Sequence, residues 1–301
     1  MVMSISIVLT DHEKEQAVSI TNEERAKVLT EAIPHIQNYY GKIVVIKYGG
    51  NAMINEELKQ QVMGDIVLLT LIGVQVVLVH GGGTEITDLL AQVGKDTKFV
   101  NGLRVTDKET IKYVQMALAG KVNLELVNLL QVRGLNAIGV SGIDSGLIKA
   151  KQVDPKLGYV GKITQVDPQV IFNLLDEKYV PIISSLAGDN KGNIYNINAD
   201  VAASSIAAAI EADNLIFLTD TVGILRDQSD PSSLIQEITA EEAKELFKEN
   251  IVTDGMIPKL QGALDAIKMG VPQAIMLDGR KPHSLLLELL TDEGSGTMIT
   301  Q

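Results

Sequence analysis

Residues 43–83 read IVVIKYGGNAMINEELKQQVMGDIVLLTLIGVQVVLVHGGG, and this stretch decides the architecture. IVVIK (43–47) is a continuous β-branched run, the pattern of a strand covered on both faces. VQVVLV (74–79) repeats the pattern, and residues 55–72 between them read as a helix. Strand, helix and strand in that order make a parallel unit. Residues 66–84 contain no Asp, Glu, Lys or Arg over 19 positions, close to membrane-spanning length. Gly73 divides them into a helix end and a strand, and His80-Gly81-Gly82-Gly83 forms a loop, so they do not read as a span.

Working outward, the alternation continues. A helix follows from Thr84 to about Val93, then a hairpin over FVNGLRV (99–105), then a long helix capped by Asp107 and running to about Val132. Strands are expected at 136–140 and 180–185, with a hairpin at 149–153 and 159–166 and a helix opened by Asp167-Pro168 between them. Beyond lie an Ala-rich helix (199–212), a strand (214–219), a helix to about Glu249 behind a Thr239–Glu242 capping box, and a helix at 257–269. A strand at 272–277, a last helix from Pro282 and an edge strand at 296–300 complete the pattern. Upstream, residues 21–40 read as an amphipathic helix with a Thr21–Glu24 capping box and a kink at Pro34. The expectation is an α/β chain with a mainly parallel open sheet. It has a helical arm (1–40) and two lobes on one continuous sheet (41–187 and 188–301), divided at AGDNKGN (187–193).

Composition narrows the function. The 301 residues are 46% hydrophobic and 21% charged, enough for a sizeable core, and 4% aromatic with no Trp, so that core is aliphatic. A net charge of −12 lacks the basic footprint of a nucleic-acid binder. The absence of Cys excludes disulfides, thiolate metal sites and Cys nucleophiles, and fits a cytoplasmic protein. The N-terminus has no basic flank before its short apolar run, so no targeting segment is read there. There is no G-x-x-x-x-G-K-[ST], no G-x-G-x-x-G, no G-x-S-x-G and no metal-ligand spacing among the four His. Met116 and Met256 read as core filler.

Ligands of open parallel sheets bind beyond the carboxyl ends of the strands. Lys47-Tyr48-Gly49-Gly50-Asn51 and His80-Gly81-Gly82-Gly83-Thr84 both fall there, as do Asn196-Ile197-Asn198-Ala199-Asp200 and Gly255-Met256-Ile257-Pro258-Lys259. Consecutive glycines at a helix start let backbone N–H groups converge on an anion. Lys47 ends an apolar strand and Lys259 sits in a first helical turn, placements that a bound phosphate would explain. Asp200 taken alone reads as an ordinary first-turn acid.

These loops resemble the amino-acid kinase family. VVIKYGGNAM (44–53), VLVHGGG (77–83), FVNGLRVTD (99–107), GYVGKI (158–163), YNINADVAA (195–203), LTDTVGIL (218–225), VTDGMIPKL (252–260) and EGSGTMI (293–299) carry the likeness in order from residue 44 onward. NGLRVTD, NINAD and TDGMIPK point to the branch that phosphorylates N-acetyl-L-glutamate on its γ-carboxylate in arginine biosynthesis. The resemblance implies a three-layer αβα sandwich of the carbamate-kinase-like kind, with the acyl acceptor in the N-terminal lobe and ATP in the C-terminal one. Lys47 and Lys259 become the transition-state stabilisers and Asp200 their organiser. Gly49, Gly50 and Gly82 form the phosphate-binding backbone, and Gly82, Gly83, Arg104 and Asn196 contact substrate. Thr219, Asp220, Ile251, Val252 and Thr253 line the ATP edge. Mg2+ accompanies ATP, no protein metal ligand is assigned, and no prosthetic group is expected. The kinked arm is similar to that of arginine-inhibited forms, which implies a hexamer, a trimer of dimers, with an arginine site near His283, Glu288 and Gly294. A PII-type partner is left open, and neither nucleic acid nor membrane is expected. Thr84, where the family usually has Pro, and GIDSGLI (142–148) depart from its pattern.

Three other readings compete with this one. They are a kinase of the same fold acting on carbamate, aspartate, glutamate or UMP; a dehydrogenase, which lacks its fingerprint; and a non-catalytic arginine sensor, against which Lys47, Asp200 and Lys259 speak.

Overall fold

The computed structural model describes residues 21–227, 229–248 and 256–301. The arm is two helices, α1 (Asn22–Glu31) and α2 (Ile33–Tyr39). Its capping box is formed: Thr21 Oγ1 accepts from the Glu24 N–H at 3.1 Å, and Glu24 Oε2 accepts from the Thr21 N–H at 2.7 Å. The expected kink is a break at Ala32, with Pro34 in the first turn of α2 where its missing N–H costs nothing.

The first parallel unit is β1 (Ile43–Tyr48), α3 (Asn51–Ile54), α4 (Glu56–Leu71), β2 (Gln75–His80) and α5 (Gly83–Gln92). There follow β3 (Phe99–Val100), β4 (Leu103–Arg104), α6 (Thr110–Gln115), a π-helical segment Met116–Val122 and α7 (Asn123–Gln131). Next come β5 (Ala137–Ser141), β6 (Ile148–Gln152), β7 (Gly161–Val166), α8 (Gln169–Asp176), β8 (Val180–Ser184), β9 (Leu186–Gly188) and β10 (Ile194–Asn196). The chain finishes with α9 (Ala199–Ala209), β11 (Asn214–Thr219), β12 (Glu237–Thr239), α10 (Ala240–Lys248), α11 (Ile257–Lys268), β13 (Gln273–Asp278), α12 (Ser284–Leu290) and β14 (Thr297–Thr300).

The main sheet has eight strands in the order β12-β14-β13-β11-β1-β2-β8-β5. Every pairing is parallel except β13 with β14. β14 was expected at the edge; β12 takes that place instead, a three-residue strand too short to show an alternation. The last helix starts at Ser284 and not at Pro282, because His283 before it is left-handed with φ 55°. Met256 is buried, but Met116 is exposed and is not core filler.

Strand alternation sorts the core. Val44, Ile46 and Tyr48 face α4, α7 and α12 through Met63, Leu126 and Leu285. Val45 faces the other way, toward Ile206 of α9 and Leu260 of α11. Helices thus cover both faces, giving the three-layer αβα sandwich. The same pleat turns Lys47 toward α9 and His80 toward α7. A second sheet, β10-β9-β6-β7, holds the expected hairpin as β6–β7, and the stretch 187–193 is the end of β9 and the turn that joins it to β10. Among the described residues no helix is long and apolar enough to cross a membrane.

Candidate active site

β1 and β2 are adjacent and in register, so their carboxyl ends, Tyr48 and His80, pair directly and deliver both glycine loops to one place. A cleft of about 250 Å³ opens there. Lys47, Gly49, Gly50, Gly82, Gly83, Arg104, Asn196 and Asp200 all line it. Sequence segments as far apart as Lys47 and Asp200 therefore meet as expected.

Lys47 Nζ pairs with Asp200 Oδ1 at 2.9 Å, both side chains largely buried. Asp200 is held by its helix: Asn198 caps α9, its Oδ1 accepting from the Asp200 N–H at 2.8 Å and the Val201 N–H at 3.1 Å. Gly49 lies against the same ammonium, since a Cβ there would stand 2.9 Å from Lys47 Nζ. Gly50 has φ +73°, and a side chain would run into the Asp220 carboxylate at 2.6 Å. Gly50 thus joins the cleft to the end of β11, where Thr219 Oγ1 accepts from the Thr221 N–H at 3.1 Å. Lys259, in the first turn of α11, is half-buried. Burial holds its pKa below the ordinary lysine value; Asp220 opposes this, Lys47 adds to it, Asp200 opposes it and Arg280 adds to it. Lys47, Asp200, Asp220, Lys259 and Arg280 therefore share one electrostatic neighbourhood. Ile251, Val252 and Thr253 lie outside the described residues.

Arg104 is buried on β4. It donates to the Gly83 carbonyl at 2.7 Å, Thr87 Oγ1 at 2.9 Å and Thr97 Oγ1 at 3.2 Å, and its guanidinium lies 4.7 Å from the centre of the Phe99 ring. Burial lowers its pKa, and among the described residues no carboxylate pairs with it. A buried guanidinium with neutral partners, lining a cleft, is set to receive an anion. Thr106 ties it to Asn196: its hydroxyl donates to the Arg104 carbonyl at 2.8 Å and accepts from Asn196 Nδ2 at 3.3 Å. Thr106, Phe99, Asn198 and Arg280 were not foreseen as site residues. Only Asn198 had a visible signal, its N-cap position ahead of Asp200.

Glu288 and Gly294 meet in a second depression of about 320 Å³, lined also by His35, Asn38 and Tyr39 of α2. Glu288 Oε2 accepts from the Ser295 N–H at 2.6 Å and the Gly296 N–H at 3.1 Å. Glu237, Asp292 and Glu293 make the depression acidic. His283 does not line it; its Nδ1 contacts Asp65 Oδ1 on α4 at 2.6 Å. Among the described residues no group of three or more His, Asp or Glu could hold a metal ion.

Comparison with known proteins agrees with this geometry. The model of the amino acid kinase family matches residues 42–278. The chain is 46% identical over 282 residues to an acetylglutamate kinase of Brachyspira hyodysenteriae, covering 93% of this chain and 98% of that one. It is 48% identical over 283 residues to an acetylglutamate kinase of Clostridium beijerinckii, covering 93% and 99%. An N-acetylglutamate synthase of Neisseria gonorrhoeae superposes with a TM-score of 0.81 at 26% identity, over 92% of this chain and 63% of the synthase. A carbamate kinase of Giardia lamblia shares the fold, with a TM-score of 0.64 at 19% identity over 87% and 99% of the two chains. A fold, a doubly glycine-lined cleft and relatives nearly half identical over more than nine-tenths of its length converge: the chain is a phosphotransferase belonging to the amino acid kinase family, on its acetylglutamate kinase branch.

Proposed function

We propose that the protein transfers the γ-phosphoryl group of ATP to the γ-carboxylate of N-acetyl-L-glutamate, giving N-acetyl-L-glutamyl 5-phosphate for arginine biosynthesis in the cytoplasm. The observation that carries this reading is a single cleft lined both by a carboxylate receiver, Arg104, and by the Lys47–Asp200 pair beneath two glycine loops.

The chemistry follows from charge. A γ-carboxylate is ionised at neutral pH, so the reaction needs no general base. Its difficulty is repulsion between two anions, about 4 kcal/mol per pair of unit charges at 4 Å and an effective dielectric of 20. Lys47 and Lys259 offset that charge as it spreads over the transferring phosphoryl group, and Gly50 and Gly82 add N–H donors. Asp200 holds Lys47 in place. Arg104 and Asn196 take the acceptor, with Arg104 on its α-carboxylate. Thr219, Asp220 and the segment 251–253 take the nucleotide. Mg2+ arrives with ATP, held by phosphates and water.

Regulation belongs to the same proposal. The depression at Glu288 is acidic and is shared by the arm and the C-terminal segment, which suits a guanidinium and supports inhibition by arginine. Helix α1 buries none of its own residues, and Val28 and Leu29 are 59% and 70% exposed. These exposed side chains, with Ile33 beside them, give the otherwise charged arm apolar points suited to packing on a second copy, in support of a hexameric ring of dimers. Residues 1–20 of the arm lie outside the described residues.

The test is ATP-dependent formation of a hydroxylamine-trapped acyl phosphate, with N-acetylglutamate, glutamate, aspartate and carbamate side by side, each with and without arginine. Turnover of N-acetylglutamate alone, abolished by arginine, is expected. Turnover of another acceptor in its place would refute the substrate.

A further inference from the structure

His80, the last residue of β2 and the residue that opens the second glycine loop, is fully buried, yet none of the chemistry above uses it. Its surroundings fix its protonation. The side chain of Asn123, at the start of α7, donates from Nδ2 to the Ile182 carbonyl at 2.9 Å, and a carbonyl can only accept, so that end of the amide is the NH2. The same Nδ2 lies 3.0 Å from His80 Nε2, which is therefore the acceptor. The ring proton must then be on Nδ1, and Nδ1 stands 2.8 Å from the Gly81 carbonyl, to which it donates. Burial keeps the ring neutral, pulling its pKa down to about 4.

A planar trans peptide points its C=O and the following N–H in opposite directions. With the Gly81 carbonyl held on His80, the Gly82 N–H is directed away from the ring. Gly82 lines the cleft, and among the described residues its N–H has no backbone acceptor. We propose that His80 and Asn123 are positioning residues that turn the Gly82 N–H into the cleft, so that it is aimed at the transferring phosphoryl group before substrate arrives. The π-helical segment serves the same end, since it leads directly into Asn123 and packs Leu118 and Val122 beneath Gly82. Gly139 on β5 leaves the space that the Asn123 side chain fills: a Cβ there would stand 1.8 Å from Asn123 Oδ1. This inference deepens the proposed phosphoryl transfer and rests on it.

Full-length protein tests the relay in two ways. Imidazole 15N spectra of the wild type are expected to show His80 protonated on Nδ1 and bare on Nε2. In the kinetic arm, His80→Asn keeps an N–H near the Nδ1 position, whereas His80→Gln reaches only toward Nε2. His80→Gln is expected to lower kcat for acyl phosphate formation about 10- to 100-fold, the range for losing a positioning partner, with both KM values little changed. His80→Asn is expected to restore most of that loss. Gly139→Ala, outside the cleft, is expected to displace Asn123, disturb the tautomer and lower kcat in the same manner. Equal losses in His80→Asn and His80→Gln, a loss confined to melting temperature, or a wild-type ring protonated on Nε2 would overturn the relay. A wild type that makes no acyl phosphate from N-acetylglutamate refutes the substrate reading instead, and the tautomer then decides the relay alone.

Discussion

Lys47 is a cation at the end of an apolar strand, and Asp200, 2.9 Å away, makes that placement tolerable. Because both line the cleft, the pair is also the centre of the proposed chemistry. Lys47→Ala is expected to cut kcat by about 10²- to 10³-fold, as loss of one preorganised donor does, in the hydroxylamine assay. Arg104→Lys gives up the planar fork, so it is expected to raise the acceptor KM by about 10- to 100-fold with a smaller effect on kcat, a charged hydrogen bond being worth about 1.5–3 kcal/mol. His80 sets a pH dependence of stability. Its pKa is about 4 in the folded chain against an ordinary 6.5, so below 6.5 the unfolded state takes up a proton that the native state refuses. Stability is complete above 6.5 and falls as pH drops toward 4, by up to about 3 kcal/mol. Urea unfolding across that interval should show the fall, and His80→Asn should remove this component of it. Lys47, Asp200 and Arg104 were legible because a charge in an apolar or helix-start setting needs a reason. Thr106, Phe99 and Arg280 were not: Asn196 marks Thr106 and Lys259 marks Arg280 from far along the chain, and Phe99 is marked only by the hairpin pairing that sets its ring on Arg104.

At the level of elements, helix starts do most of the positioning. Asn198 holds the first turn of α9 and with it the Asp200 carboxylate. Asn198→Ala is expected to cost about 1 kcal/mol in thermal or urea unfolding, as loss of an N-cap does, and to lower kcat through a looser Asp200. Most strands and helices were legible from period and caps: the β1–α4–β2 unit and both Thr–Glu capping boxes are present as read. Two features were not. β12 spans three residues, shorter than any window in which alternation can be seen, and its absence from the reading put β14 at the edge by mistake. The π-helical segment within the long helix has no periodicity that sets it apart in the sequence; in the fold it carries Leu118 and Val122 against Gly82.

For the whole molecule, the arm and the acidic depression carry the predictions. α2 is anchored by buried Tyr39, whereas α1 buries nothing of its own. Deleting residues 1–31 is therefore expected to leave a folded, active dimer in place of the proposed hexamer by analytical ultracentrifugation. Glu288→Gln keeps an acceptor for the Ser295 and Gly296 N–H groups and removes the charge. It is expected to weaken arginine inhibition at least tenfold, at about 1.4 kcal/mol per factor of ten, with turnover unchanged. The central placement of β1 has a further consequence. Its partner on one side, β2, follows within a few dozen residues, but on the other side Val44 pairs with Asn214. During synthesis the edge of IVVIKY stays open until β11 emerges, and a bare apolar parallel edge is a template for intermolecular pairing. Translation speed and growth temperature should therefore govern the yield of native protein, and refolding from denaturant should lose material to aggregation in proportion to chain concentration.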